Sequence, residues 1–516
     1  MGAVSGRAAI PLRKVLVANR GEIAVRVMRT LRALGIRSVA VHSEADARAL
    51  HVFEADEAVH IGGSEPRDSY LKVDAVIAAA VATKCDAVHP GYGFLSERAD
   101  FARACETAGI VFVGPPAAVL EATGDKLGVK ARVAKAGVPV IPGPLGPVGE
   151  SAAALAAAVK ETGFPMLLKA IGGGGGRGLR RVDRFEDAGP AAESARREAG
   201  GAFGDARLYA EALILPARHV EVQILVDGRG EVRVLGDRDC SLQRRHQKVI
   251  EEAPAPNLSD ATRRTLHQAA RDAAKALGYR NAGTCEFLVD PKGRPYFLEV
   301  NRRIQVEHPV TEAIFGIDLV EWQLRVAAGE SLPPEGTWTP RGHAIEARVC
   351  AEDPARGFLP ASGTVDALEA SRAPGIRVDA GFAAHFEIPP FYDSLVMKVI
   401  ASAETREGAR SRLDAALSDT ALVGVASNIA FLRRLLAEPD VVEARLSTDF
   451  IDVHGERLVQ EPPLPAEAIL LATGIVARFA RSAAGGELRP GEKSARSLDP
   501  WRRMRSWRVG SLPEAR

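Results

Sequence analysis

EVNRRIQVEHPVTE, residues 299–312, follows directly on the apolar run Tyr296-Phe297-Leu298 and decides how the chain is read. It sets Glu299, Asn301, Arg302, Arg303, Gln305, Glu307 and His308 within ten positions. Charge at that density beside a strand-forming segment is costly to bury unless each group finds a partner. Alternation along a strand predicts that Glu299, Asn301, Arg303, Gln305 and Glu307 share one face, with Arg302 pointing away. Such a face offers oxygens to a hard cation, a guanidinium to a small anion and a carboxylate for proton transfer. The plainer alternative is a salt-bridged surface strand, and matching parts elsewhere in the chain weigh against it.

Just upstream, TCEFLVD (284–290) buries Glu286 in an apolar strand, where a carboxylate needs a cation or a donor. Glu286, Glu299 and Asn301 together form an all-oxygen set suited to Mg²⁺ bridging nucleotide phosphates. RDCSLQRRHQKVIEEAPAP (238–256) gathers Gln243, Arg244, Arg245, His246, Gln247 and Lys248 ahead of Val249-Ile250; a basic exposed turn would explain it equally well. YAEALI (209–214) carries Glu211 at a strand end, with a backbone able to pair with an adenine edge. LLKAIGGGGGRGLRRV (167–182) runs strand, Lys169, then five glycines. Ordering five glycines costs backbone entropy, so a phosphate-cradling loop is the stronger reading than a linker. It is not a P-loop, because G-x-x-x-x-G-K-[ST] is missing. GDK (124–126) places Lys126 after a tight turn, and HAIEARVCAEDP (343–354) places Arg348 on a strand. A structural pairing of Arg348 with Glu346 or Asp353 is the alternative there.

The remaining chain supplies the frame. KVLVA (14–18) predicts a short strand, and Asn19-Arg20-Gly21 leads into a helix with Ile23, Val27, Leu31 and Leu34 at helical spacing and Gly35 at the stop. Strands at 38–42, within 86–97 (DAVHPGYGFLSE) and within 109–115 (GIVFVGP) continue a β-α-β-α order, which predicts a parallel, doubly covered α/β sheet over residues 1–115. No G-x-G-x-x-G follows the first strand, which weakens a dinucleotide reading. A second unit spans 116–330, SLPPEGTWTPRG (331–342) reads as a linker, and a third unit spans 343–454. Residues 455–516 read as a tail with one short helix at 466–481.

At 516 residues the chain exceeds a single core. A net charge of +1 gives no global basic field for nucleic acid. Cys85, Cys105, Cys240, Cys285 and Cys350 show no C-x-x-C pairing, which argues against zinc or a disulfide framework and fits a reducing compartment. MGAVSGRAAIPLRK lacks a signal-peptide core and no run approaches the ~20 apolar residues of a membrane span, so a cytoplasmic location is expected.

VLVANRGEIAVRV, HPGYGFLSE, KAIGGGGGRG, RDCSLQRRHQK, RIQVEHPVTE and FYDSLVMK, in this order over residues 12–453, resemble the signatures of the biotin carboxylase family of the ATP-grasp superfamily. The resemblance implies an α/β, three-domain architecture: a Rossmann-like N-terminal domain, an ATP-grasp domain with a glycine-rich lid over about 141–213, and a C-terminal mixed α/β domain. It implies that ATP converts bicarbonate to carboxyphosphate, which delivers CO₂ to N1′ of biotin on a carrier. By motif, Lys126, Lys169, Gly175, Gly176, Glu211, Leu213, Ile214, His219 and His246 would hold ATP. Glu286, Glu299 and Asn301 would bind Mg²⁺ or Mn²⁺. Lys248, Arg303, Gln305 and the backbone of Val306 would hold bicarbonate, Glu307 would deprotonate it, and Arg348 would stabilise the biotin enolate.

Two positions depart from the family pattern. Arg302 stands where Thr or Pro is usual, and Ala212 where a lysine often lies near the adenine. Biotin is attached to lysines flanked by methionine on a hairpin; Met397-Lys398 lies inside a strand motif instead and is rejected as such a site. The expectation is therefore biotin supplied in trans by a carrier protein or domain, a carboxyltransferase partner that selects the acyl-CoA, and a homodimer or larger complex. DPWRRMRSWRVG (499–510) is similar to the start of the assembly region in longer acyl-CoA carboxylase α-subunits. Two other readings stay open: another ATP-grasp ligase, such as one forming carbamoyl phosphate, and a catalytically weakened subunit with an assembly role, motivated by Arg302 and the missing carrier.

Overall fold

Lys14–Val17 (β1) sends alternate side chains into two different cores, so it must be covered on both sides. Val15 and Val17 pack with Ile23, Val27 and Leu31 of the helix Gly21–Ala33 (α1). Leu16 packs with Val39, Val88 and Phe101 on the other face. Arg37–Ser43 (β2), Glu57–Gly62 (β3), Ala87–His89 (β4) and Val111–Phe112 (β5) complete an all-parallel sheet in the order β3-β2-β1-β4-β5. This is the doubly wound unit expected for the first part of the chain. The computed structural model describes residues 11–172 and 178–460.

Met166–Ala170 (β6), Leu179–Val182 (β7) and Leu208–Ala212 (β8) form a separate antiparallel sheet, β7-β6-β8. A small core of Met166, Leu168, Ala188, Ala192 and Ala195 joins it to the helix Phe185–Phe203. Gly175 and Gly176, expected to cradle phosphate, fall outside the described residues, as does the helix expected at 466–481.

The largest sheet has eight strands. Arg218–Val226 (β9), Val232–Arg244 (β10), Gln247–Ala253 (β11), Asn281–Val289 (β12), Pro295–Asn301 (β13) and His343–Cys350 (β14) are joined by the strands Leu395–Ala403 and Ile376–Ala380. Their order is β13-β12-β9-β10-β11-β14, then Leu395–Ala403, then Ile376–Ala380. The segment read as a linker, 331–342, therefore does not separate two sheets, because β11 pairs with β14 in the register Ile250↔Ala347. One face is apolar: Val220, Val222, Cys285 and Phe287 pack on the helix Asp260–Ala276, and Ile345, Ala347 and Val349 on the helix Arg406–Ser418. The opposite face carries charge. Glu286 lies opposite Glu299 and Glu221, Glu221 opposite Arg238, Glu251 opposite Glu346, and Lys398 opposite Arg348 and Asp379.

Two expectations are corrected. β13 ends at Asn301, not at Glu307; the chain bends at 302–303, and Glu307 is the N-cap of the helix His308–Phe315. Pro309 explains the change, since it lacks a ladder donor and favours the first helical turn. At the other end, the helix Phe450–Val459 runs through residue 455, where the tail was expected to begin.

Candidate active site

The charged face of the eight-stranded sheet forms the floor of a cleft of ≈ 1220 Å³. At one end stand Lys126, Lys169, Leu213, Ile214, His219 and His246. Lys126 opens the helix Lys126–Lys135, whose N-cap Asp125 accepts from the Leu127 N–H at 3.1 Å. Its Nζ donates to Glu299 Oε2 at 2.8 Å. Burial disfavours that ammonium, but Glu299 outweighs it and raises the Lys126 pKa. Lys169, near the end of β6, is 2.6 Å from Glu211 Oε2. Glu211 itself turns its side chain away from the cleft: it is buried and also accepts from Lys130 Nζ at 2.9 Å. Burial would raise its carboxyl, and the two lysines more than reverse that. Its side chain therefore orients Lys169 and makes no wall of the cleft. Tyr209, Leu213, Ile214, Leu288 and Leu298 give this end an apolar lining suited to a flat base.

His246 comes from the two-residue hairpin Arg245-His246 between β10 and β11, with φ of 49° and 65°. Both values lie in the left-handed region that such a turn requires and that favours Gly or Asn. Backbone strain of this kind persists where surroundings hold it, and here it brings His246 to the cleft. The turn is exposed, as the plainer reading of the sequence allowed, and it also lines the cleft.

The middle of the floor is acidic. Glu286 accepts from Asn301 Nδ2 at 2.8 Å and from Lys248 Nζ at 3.0 Å, and lies 3.1 Å from His219 Nε2. Burial works to raise Glu286, but Lys248 and His219 hold it well below the usual carboxylate range. Glu286, Glu299 and Asn301 offer hard oxygen donors from adjacent strands, and their carboxylates are already balanced by cationic side chains. That donor set fits Mg²⁺ or Mn²⁺. The nearby Cys240 thiol is pushed far up by burial.

At the far end Arg303 Nη1 donates to Gln305 Oε1 at 2.7 Å, and Gln305 Nε2 to Glu286 Oε1 at 2.9 Å. Lys248 Nζ reaches Glu221 at 2.6 Å and Glu307 Oε1 at 2.5 Å. Arg348 Nη2 donates to Glu307 Oε2 at 2.9 Å, and Nε to Glu251 Oε1 at 2.6 Å. Burial would raise the Glu307 carboxyl; Lys248, Arg348 and Arg238 hold it well below the ordinary range instead. The Val306 carbonyl accepts from Lys398 Nζ at 2.8 Å, which fixes that backbone at the cleft wall. Lys398 is fully buried beside Glu22, at 3.2 Å, and cannot reach a modifying enzyme.

Arg302 points away from the acidic floor even though the strand has ended. Its N–H and Nε donate to Glu97 Oε1 at 3.0 and 3.2 Å, and Nη1 to the Leu120 carbonyl at 2.8 Å. Glu97 also meets Arg303 Nε at 3.4 Å.

The sequence reading missed the supports of this array: Glu97, Lys130, Glu221, Arg238, Glu251 and Lys398. Three of them carried the signal that singled out Glu286, charge inside or beside an apolar run of a strand. Glu221 sits in RHVEVQILV, Glu251 follows Val249-Ile250, and Lys398 sits in LVMKVI.

Comparison with known proteins matches this geometry to a family. The model of the biotin carboxylase N-terminal domain fits residues 11–120, that of the carbamoyl-phosphate synthase L chain ATP-binding domain fits 125–335, and that of the biotin carboxylase C-terminal domain fits 346–453. The chain is 46% identical over 442 residues to the biotin carboxylase of Pseudomonas aeruginosa, covering 86% of this chain and 98% of that one. It is 44% identical over 465 residues to the methylcrotonoyl-CoA carboxylase subunit alpha of Dictyostelium discoideum (90% of this chain, 66% of that one). It is 47% identical over 455 residues to pyruvate carboxylase 1 of Caenorhabditis elegans, with 87% of this chain and 39% of that one covered. Among solved structures, the biotin carboxylase domain dimer of the Hydrogenobacter thermophilus 2-oxoglutarate carboxylase, in complex with MgADP, ADP and bicarbonate, superposes with a TM-score of 0.84 at 42% identity, over 87% of this chain and 99% of that one. Sequence over nearly the whole described chain and the superposed fold agree, and the protein belongs to the biotin carboxylase family.

Proposed function

We propose that the protein carboxylates biotin with ATP and bicarbonate, through carboxyphosphate, as the biotin carboxylase component of an acyl-CoA carboxylase. The observation that carries the reading is the fully buried Glu307 carboxylate, held between Lys248 and Arg348 beside the Arg303–Gln305 pair. Lys126, Lys169, the backbone at Glu211, Leu213, Ile214, His219 and His246 hold the nucleotide, a role the family signature also gives Gly175 and Gly176. Glu286, Glu299 and Asn301 would hold a divalent cation, which would supply neutralisation of the phosphate charge. Arg303, Gln305, Lys248 and the Val306 backbone grip bicarbonate, a planar anion matched by a guanidinium fork.

Glu307 takes the bicarbonate O–H proton as the freed oxygen attacks the γ-phosphorus and ADP departs. In the ligand-free arrangement its basicity is suppressed by Lys248, Arg348 and Arg238. When an anion draws Lys248 away, that suppression eases and the carboxylate becomes a stronger base at the moment it is needed. Carboxyphosphate then breaks to CO₂ and phosphate. The phosphate accepts the N1′ proton of biotin, Arg348 stabilises the enolate, and N1′ attacks CO₂.

Biotin comes on a carrier protein or domain, a carboxyltransferase completes the reaction, and a homodimer or larger assembly is the working form. Five free cysteines fit a reducing cytoplasm. Among the described residues no helix is long and apolar enough to cross a membrane. The weakened-subunit reading rested on the carrier being supplied in trans and on Arg302; for Arg302, the turn of its guanidinium toward Glu97 and Leu120 favours intact chemistry. ADP release with Mg-ATP and bicarbonate, with and without free biotin, tests the proposal. Bicarbonate-dependent, biotin-stimulated release is expected; ATP binding with no such release would overturn it.

A further inference from the structure

Behind Arg348 lies a pair of acids that the reaction as described does not use. The antiparallel register of β11 and β14 sets Glu251 directly opposite Glu346, and both are fully buried. Glu251 accepts from Arg348 through Oε1, while its Oε2 and both oxygens of Glu346 accept no hydrogen bond among the described residues. Directly opposed like charges are unfavourable even at a surface, and a carboxylate without donors in a dry interior is costlier still. Two carboxyls in this position hold one proton between them far more readily than two negative charges.

The surroundings add to that pressure. The charged groups that act on the pair are Lys248 and Arg348 on its own strands, Lys398 on the strand beyond β14, Glu307 at the start of the helix His308–Phe315, and the Cys240 thiol on β10; Arg238 on β10 stands behind Glu307, Asp379 and Glu22 stand against Lys398, and His308 follows Glu307. The cations among them are already committed: Lys248 to Glu221, Glu286 and Glu307, Arg238 to Glu221, and Lys398 to Val306 and Glu22. His308 is kept neutral, its pKa driven far down by burial and by Lys398 and Arg26. Burial raises Glu346 well above the usual carboxylate range, and raises Glu251 to about 7 in spite of Arg348.

Taking the proposed biotin carboxylation as its basis, we infer that Glu251 and Glu346 share a single proton and act as a positioning pair for Arg348. The guanidinium bridges two carboxylates, Glu251 and Glu307. When the bicarbonate proton moves onto Glu307, that carboxylate becomes neutral and its hold on Arg348 weakens. Glu251 then tethers the guanidinium alone, through Nε and Nη2, and the N–H that Glu307 held turns to the ureido oxygen of biotin. Deprotonation to Glu251⁻/Glu346⁻ adds negative charge behind Arg348 and draws it back from the substrate.

Infrared difference spectroscopy of the full chain carrying ¹³C-glutamate reads the proton without reference to activity. A protonated-carboxyl C=O band at neutral pH that shifts on labelling and disappears in Glu346→Gln is expected. In the same preparations the alkaline fall of biotin-stimulated ADP release should be lost in Glu346→Gln, whose amide mimics the neutral acid. Glu251→Gln should lower biotin-stimulated release about tenfold more than biotin-independent release. If Glu346→Gln fails to fold, the labelled band in the wild-type protein and the two rates of Glu251→Gln still decide the matter. Absence of the band, a pH profile of Glu346→Gln superimposable on wild type, or equal losses of both rates in Glu251→Gln would overturn the inference. Wild-type protein without bicarbonate-dependent release would instead overturn the proposed function, while the band still reports on the shared proton.

Discussion

The parallel sheet β3-β2-β1-β4-β5 and the eight-stranded sheet solve burial in opposite ways. In the first, alternate residues of β1 enter two apolar cores, and each strand is stabilised by what it excludes from water. In the second, one face is apolar and the other is a row of acids and bases buried across strand after strand. Desolvating those charges costs several kcal/mol per ion before pairing. The row is thus a poor source of stability and a good source of preorganised field, the property that phosphoryl and carboxyl transfer use. Stability is therefore carried by the apolar cores of both sheets, and chemistry by the charged face of the second alone.

Substitutions can break that division. Glu307→Gln should lower biotin carboxylation by ~10²–10⁴-fold while ATP binding, followed by nucleotide fluorescence titration, stays close to wild type. Loss of ATP binding in parallel would mean the charged row also holds the fold of the nucleotide end. Lys398→Met should cost about 3–5 kcal/mol in urea unfolding, because it leaves Glu22 and Asp379 buried beside one lost cation. Leu16→Ala, in the core of the parallel sheet, should cost roughly 2–5 kcal/mol with catalytic constants unchanged. A kinetic change there would show that the two sheets are coupled.

Acid sharpens the contrast with the smallest effect. Burial pushes the pKa of His51 and of His89, both in the parallel-sheet domain, down from 6.5 to about 4. The unfolded rings gain protons near 6.5 and the folded ones only near 4, so stability present above pH 6.5 is lost as pH falls through that window. Each ring contributes on the order of 3 kcal/mol at most. Glu286 and Glu307 are held below the usual carboxylate range, so the stability they contribute is lost only below about 4.5. Hydrogen exchange at pH 5 should show amides of β1, β2 and β4 losing protection before those of β9 and β12; simultaneous loss would refute the order.

The sequence foretold the two sheets unequally. KVLVA and the helical spacing after it predicted β1 and α1 because local pattern and burial agree there. Glu286, Arg303, Glu307, Lys248 and Arg348 were legible because charge inside or beside an apolar run requires an explanation, and the family signatures gave them roles. The register was not legible: that Glu251 faces Glu346, or that β14 pairs with β11 across residues 331–342, depends on contacts distant in sequence. Nor did alternation foresee the end of β13 at Asn301, since the helix capped by Glu307 overrides it. Glu211 was read as a nucleotide contact through its backbone, and only packing showed what its side chain does, clamped by Lys130 and Lys169.

The pairing of β11 with β14 also bears on how the molecule could be divided. A cut within 331–342 would sever only loop backbone, but it would leave the first fragment with β11 as a bare sheet edge and the second with β14 as its unpaired complement. Each edge is a template for the other, held by main-chain hydrogen bonds from Ala344 to Ala347. The two pieces would be natural halves of a split enzyme, since Arg348 would return to Glu307 only when the strands re-annealed in register. Reconstituted turnover would then report directly on the meeting of two polypeptides.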